Sequence, residues 1–282
     1  MHKYLLSFGH GYSAQALACN LLPLGWKIIG TTRDKKKLLK LRETGIQPYL
    51  WGDSGIEEAF SKATAVLISA GPNEEGDPVF LRYNKLFKKY AAKLDWVGYL
   101  STTGVYGDFN GQWVDEKTPL NPQTKRGQLR LTAEQGWQSI SGLPLHIFRL
   151  AGIYGPGRGP FRKVRNGTAK RIIKRGQVFS RTHVDDIAQV LLASLNSPNP
   201  GRVYNVCDND PAPPQDVISY AAELLGLPLP PIVNFDDTDL SPMARSFYAE
   251  NKKVDNTRIK SELGVALLYP NYKAGLKSML QD

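Results

Sequence analysis

A short apolar run, Tyr4-Leu5-Leu6-Ser7-Phe8, stops at Gly9-His10-Gly11-Tyr12-Ser13-Ala14 and gives way to the helix formers Gln15-Ala16-Leu17-Ala18. A strand that turns through glycines into a helix presents free backbone N–H groups and the positive end of the helix dipole at the turn, which suits an anion. Gly9 allows the tight turn, Gly11 lets the backbone approach a pyrophosphate, and small Ala14 brings helix and strand together. Tyr12 and Ser13 open the helix, so their backbone belongs to the same cradle. The pattern predicts a strand–turn–helix unit that binds a dinucleotide.

Further units follow along the chain. Trp26 to Thr32, Ile46 to Trp51, Ala65 to Ser69, Trp96 to Ser101 and Leu145 to Leu150 read as short apolar strands. Lys36 to Glu43, Pro78 to Leu94 and Gln128 to Ile140 read as helices, the first with Leu38, Leu39 and Leu41 inward. Such alternation predicts an α/β fold, a doubly wound parallel sheet with helices on both faces. After Gly155-Pro156-Gly157-Arg158-Gly159-Pro160 the chain is basic until Val184 opens another helix. Val203-Tyr204-Asn205-Val206 reads as one more strand, Gln215 to Leu225 as a helix and Leu227 to Ser241 as an irregular connector. The expected organisation is a nucleotide-binding domain of residues 1–157 plus 182–207 and a smaller substrate-binding lobe of 158–181 plus 208–282.

Hydrophobic residues make up 41% of the 282, and no apolar run approaches the ~18 needed to cross a bilayer, so a soluble protein without a membrane partner is expected. Met1-His2-Lys3 leads straight into the first strand with no leader pattern. Cys19 and Cys207, both inside predicted elements, read as reduced core residues of a cytoplasmic protein. The net charge of +10 implies an affinity for anions. Lys35-Lys36-Lys37 and the stretch from Arg158 to Arg175 hold much of it. That stretch carries Phe161 and Phe179 only at its ends, without the interleaved aromatics of a single-strand platform, which argues against nucleic acid. The histidines and cysteines show no metal-ligand spacing, and Asp236-Asp237-Asp239 reads as a solvated loop.

Cofactor type is decided at the end of the second strand, where Gly30-Thr31-Thr32-Arg33 offers no acid for ribose hydroxyls. The Thr32 hydroxyl beside an Arg33 fork suits a 2′-phosphate and predicts NADP(H) in preference to NAD(H), with Asp34 pulling the other way. Ser69-Ala70-Gly71-Pro72 closes the fourth strand with small residues that would admit the nicotinamide half, or simply form a strand-ending turn.

Ser101-Thr102-Thr103-Gly104-Val105-Tyr106-Gly107 ends the fifth strand with three hydroxyls. With Arg149-Leu150-Ala151-Gly152-Ile153-Tyr154-Gly155-Pro156-Gly157-Arg158, His183-Val184-Asp185-Asp186-Ile187-Ala188, Val203-Tyr204-Asn205-Val206, Leu263-Gly264 and Tyr269-Pro270, in that order, the chain resembles the extended, epimerase/dehydratase-like short-chain dehydrogenases/reductases, or an atypical relative. The resemblance implies a Rossmann sheet binding NAD(P), a C-terminal lobe gripping the substrate, and a homodimer paired through the helix Gln128 to Ile140. It also implies a serine or threonine working with a Tyr-x-x-x-Lys pair. Thr102 falls where the family's hydroxyl sits, but Arg126 stands for the tyrosine and Arg130 for the lysine.

That replacement changes the chemistry. A phenol trades protons near neutral pH, whereas a guanidinium stays charged, so Arg126 can stabilise an oxyanion or hold a phosphate but cannot relay a proton. Arg130 is placed to bond the nicotinamide ribose, or to be a surface helix residue. Tyr106, with Tyr154 behind it, is the candidate proton donor, although both also match structural positions that favour core packing. His10 is expected to face phosphate, and His183 to open a helix with acids in its first turn. The resulting reading is hydride transfer on a small, anionic or sugar-like substrate. Its alternative is an NADP(H)-sensing regulatory protein that has lost the chemistry.

Overall fold

The computed structural model describes residues 3–281; Met1, His2 and Asp282, which end the two expected domains, lie outside the described residues. In chain order the strands are β1 (Tyr4–Phe8), β2 (Lys27–Thr32), β3 (Gln47–Leu50), β4 (Ala65–Ile68), β5 (Trp96–Thr102), β6 (Trp113–Val114) and β7 (Leu145–Leu150). They continue with β8 (Gly152–Tyr154), β9 (Arg171–Ile173), β10 (Arg181–His183), β11 (Val203–Val206), β12 (Ile232–Asn234) and β13 (Lys253–Val254). The helices are α1 (Tyr12–Leu21), α2 (Lys37–Glu43), α3 (Ile56–Lys62), α4 (Pro78–Tyr90), α5 (Lys125–Gln138) and α6 (Phe161–Arg165). After them come α7 (Val184–Asn196), α8 (Pro214–Leu224), α9 (Pro242–Phe247), α10 (Thr257–Leu263) and α11 (Tyr272–Ser278).

Seven parallel strands form one sheet in the order β11-β7-β5-β4-β1-β2-β3. Every residue of β4 and β7 is buried, as expected of strands covered on both faces. One face packs Leu5 and Leu67 against Ala14 and Leu17 of α1 and Ile187 and Leu191 of α7. The other packs Phe8, Val66 and Tyr99 against Phe87 of α4 and Trp137 of α5. A separate cluster joins Phe161, Val217, Ala221 and Leu276 of α6, α8 and α11. Ile259 and Val265 sit in the sheet's own core, so part of the stretch expected in the smaller lobe packs on the sheet instead.

Two expected burials fail. Only Leu41 of the α2 leucines is buried, and Leu39 is 64% exposed, because a helix of seven residues turns a single row inward. Cys207 is buried but Cys19 lies on the outer side of α1. Helix α3 and the two-stranded ladders β8–β10, β9–β12 and β6–β13 went unread in the sequence.

Helix α5 is held against the end of β5 by two devices. Thr124 caps it, accepting from the Gly127 N–H at 3.2 Å, and a Cβ on Gly127 would stand 2.6 Å from the Gly104 carbonyl oxygen, so only glycine permits the approach. Deeper in, Glu134 takes a bidentate pair from Arg149 of β7 (3.2 and 2.8 Å) and a hydrogen bond from the Ser101 hydroxyl at 2.5 Å. Glu134 and Arg149 are 1% and 4% exposed. Removing one member strands a buried charge, so Glu134→Ala is expected to lower unfolding free energy by about 3–5 kcal/mol in urea titrations. A loss below about 1 kcal/mol would show that the pair does not hold α5.

Candidate functional site

The strand order reverses between β1 and β4, the crevice where ligands of open α/β sheets collect. Gly9 ends β1 with φ +71°, and a Cβ there would lie 2.9 Å from Ala70, so β1 and the turn after β4 touch. Two hydroxyls fix the loop: Thr31 Oγ1 accepts from the Gly9 N–H at 2.9 Å, and Ser69 Oγ donates to the Gly9 carbonyl at 2.6 Å. Gly11 is the N-cap of α1, which has no side-chain cap and no acid in its first turn. Ser13 and Ala14 are buried beneath it. The start of α1 therefore keeps its amides for an anion.

His10 does not face that anion. Its ring lies under the loop, 6% exposed, 3.2 Å from Gln15 Oε1, in space that a Cβ on Gly30 would fill. Burial pulls its pKa down to about 4, so the ring is neutral. At the end of β2, Thr32 Oγ1 accepts from the Asp34 N–H and Asp34 Oδ1 from the Lys36 N–H. This turn engages the acid and leaves Arg33 exposed, in no ion pair among the described residues.

The α5 arginines stand across the crevice from α1. Arg130 donates to the Leu100 carbonyl and, at 3.3 Å, to the Tyr99 hydroxyl. Its other terminal nitrogen lies 2.8 Å from where a Gly71 Cβ would be, so Gly71 gives it room; Pro72 follows, half-buried. Arg126, one turn earlier, has its guanidinium 6.0 Å from the Phe247 ring centre. Loss of water around it, together with the charges of Arg130 and Arg158, lowers its pKa. Thr102 is half-buried; its Oγ1 accepts from the Gly104 N–H at 3.2 Å, which leaves the hydroxyl proton to donate.

A third loop closes the crevice. Tyr12 Oη donates to the Pro156 carbonyl at 2.9 Å, and Arg158 stacks 5.8 Å from the Tyr12 ring centre. Gly155, at φ +150°, is required, since a Cβ would meet Tyr12 Oη at 2.5 Å.

The expected proton donors are elsewhere. Tyr106 is fully buried, donating to Asn205 Oδ1 at 2.7 Å and accepting from Arg149 at 3.1 Å, and burial pushes its pKa up to about 12. Its hydroxyl completes the Glu134–Arg149 network. Tyr154 packs in the smaller lobe, its ring in the space a Gly275 side chain would need, and burial raises its pKa too. His183 caps α7, accepting from the Asp185 N–H at 3.2 Å. Thr31 was missed as a loop anchor and Glu134 as a network centre. Arg149 inside an apolar strand was the available signal, since a buried guanidinium needs an acid.

The chain matches the NAD dependent epimerase/dehydratase family over residues 8–207. Protein YeeZ of Escherichia coli (strain K12) is 30% identical, the alignment covering 95% of this chain and 97% of YeeZ. A functionally unknown conserved protein from Silicibacter pomeroyi DSS superposes with a TM-score of 0.94 at 58% identity, over 99% of this chain and 98% of that one. The dTDP-glucose 4,6-dehydratase of Bacillus anthracis in complex with NAD shares the fold, with a TM-score of 0.78 at 19% identity over 99% and 97% of the two chains.

The buried imidazole gives a pH test. A histidine whose pKa falls to about 4 on folding keeps its stabilising neutral form until pH 4, while the unfolded chain takes up the proton below about 6.5. Stability from His10 is therefore present above 6.5 and lost as pH falls toward 4. His10→Asn is expected to flatten the stability-versus-pH curve between 6.5 and 4 in denaturant titrations; an unchanged slope would contradict the assignment.

Proposed function

Because the chain belongs to the NAD-dependent epimerase/dehydratase family, we propose that it is an oxidoreductase that prefers NADP(H) and transfers hydride at a carbinol or carbonyl carbon of a small substrate. The observation that carries this reading is the uncapped, acid-free start of α1, held open by Gly9 and flanked by the unpaired Arg33. The residues fit the cofactor: the α1 amides suit its pyrophosphate, Thr32 and Arg33 its 2′-phosphate, and the Ser69–Pro72 turn its nicotinamide half. Bound NADPH supplies the hydride.

The chain's own part is positioning and charge. Thr102, whose Oγ1 accepts from the Gly104 N–H, offers its O–H as a hydrogen bond that orients the reacting oxygen. Arg126 stabilises negative charge developing on that oxygen as a cation already in place. Arg130, anchored on the Leu100 carbonyl beside Gly71, lines the nicotinamide ribose in the lysine's place. With Tyr106 buried, the proton that completes the reaction comes from solvent. The exposed thiol of Cys19 suits a reducing compartment, so cytoplasmic residence belongs to the proposal, as does pairing of two copies through α5.

One observation favours a second reading, an NADP(H) sensor without turnover: both candidate proton donors, Tyr106 and Tyr154, are committed to packing. NADPH consumption against a panel of carbonyl compounds, beside NADPH binding by thermal shift, separates the two. Turnover supports the oxidoreductase. Binding without turnover, unrescued in the double variant Arg126→Tyr with Arg130→Lys, supports the sensor. For the cofactor itself, Arg33→Ala is expected to weaken NADPH by about tenfold or more while leaving NADH within about twofold. Equal losses for both would remove the 2′-phosphate assignment.

A further inference from the structure

Arg126 and Arg130 are one turn apart on α5 and so share a face, and Arg158 comes to the same mouth from the opposite loop, laid over the Tyr12 ring. None of the three joins an ion pair among the described residues, whereas Arg149, Lys252 and Arg258 each have an acid. Each is held by something other than a carboxylate: Arg130 by the Leu100 carbonyl, Arg158 by an aromatic face, Arg126 by Phe247. Three like charges gathered without a counter-charge repel one another, and a chain with 26 acids had means to neutralise them.

We propose that Arg126 and Arg158, with Arg130 behind them at the nicotinamide ribose, form a binding site for a phosphoryl group carried by the substrate, beside the carbon that exchanges hydride. The inference rests on the oxidoreductase reading given above. A phosphate monoester brings close to two negative charges and three terminal oxygens, which matches several guanidinium forks better than one carboxylate does. The cofactor's phosphates already have the α1 amides and Arg33. Arg126 thus faces an anion that the substrate brings with it as well as the charge that develops during reaction. The exposed Phe247 ring walls one side of the site, against the carbon skeleton. Thr102 caps the turn holding Gly104, whose carbonyl oxygen packs on Gly127 next to Arg126, so the proposed phosphoryl site and the hydroxyl lie on neighbouring elements.

The test is calorimetric titration of inorganic phosphate, with acetate as comparison, into the protein saturated with NADPH. It is run on wild type, Arg126→Gln and Arg158→Gln, with NADPH affinity measured in parallel. Both residues are exposed, and unchanged melting temperatures confirm that the variants fold. Phosphate is expected to bind the NADPH-loaded protein, about tenfold more weakly in each variant, with NADPH affinity within about twofold of wild type. The proposal is overturned if loaded protein ignores phosphate, if the variants bind it as wild type does, or if acetate binds equally well. It is also overturned if the variants lose NADPH instead, since the arginines would then serve the cofactor. Should wild type not bind NADPH at all, the cofactor reading fails by itself. Phosphate titrated into the free protein then decides the arginine site by the same variant losses.

Discussion

Glu134 sits where a helix, two strands and a turn meet, and its carboxylate is shared between the Arg149 guanidinium and the Ser101 hydroxyl. Through Arg149 the network reaches Tyr106, and through Tyr106 it reaches Asn205 of β11. Strands β5, β7 and β11 are therefore tied to α5 by directional bonds, where apolar packing would tolerate a slide. A buried ion pair of this kind contributes little net stability over an apolar replacement, but it makes misplacement costly. What it places is the α5 face bearing Arg126 and Arg130.

The glycine loop depends on the same principle at smaller scale. Gly9 is pinned between two hydroxyls from neighbouring strands, Thr31 and Ser69, and its closeness to Ala70 leaves no slack. These contacts hold Gly9 in its turn before any ligand arrives, so binding there has less to order.

The central sheet was legible because its strands are apolar runs bounded by turn residues, and doubly wound order follows once strands and helices alternate. The glycine loop was legible because each glycine has a backbone reason. Helix α3 was not, being seven residues with three charges and no full period to detect. The ladders β6–β13 and β9–β12 pair segments more than fifty residues apart through two or three residues each, too short for alternation to show. Tyr106 misled because it follows the hydroxyl cluster directly in sequence. The tight turn at Thr103–Val105 carries it round to the interior, where Arg149 and Asn205 await its hydroxyl. Sequence distance to a site says little when a single turn reverses the chain.

Tyr12 belongs to two places at once. It is the first residue of α1, and its hydroxyl and ring hold the turn that carries Arg158. A ligand that fixes the start of α1 in one arrangement also fixes that turn, and a ligand gripped by Arg158 returns the effect. Thermodynamic linkage makes the two influences equal in size. Any ligand that shifts one half of the crevice is thereby coupled to the other through the Tyr12–Pro156 hydrogen bond.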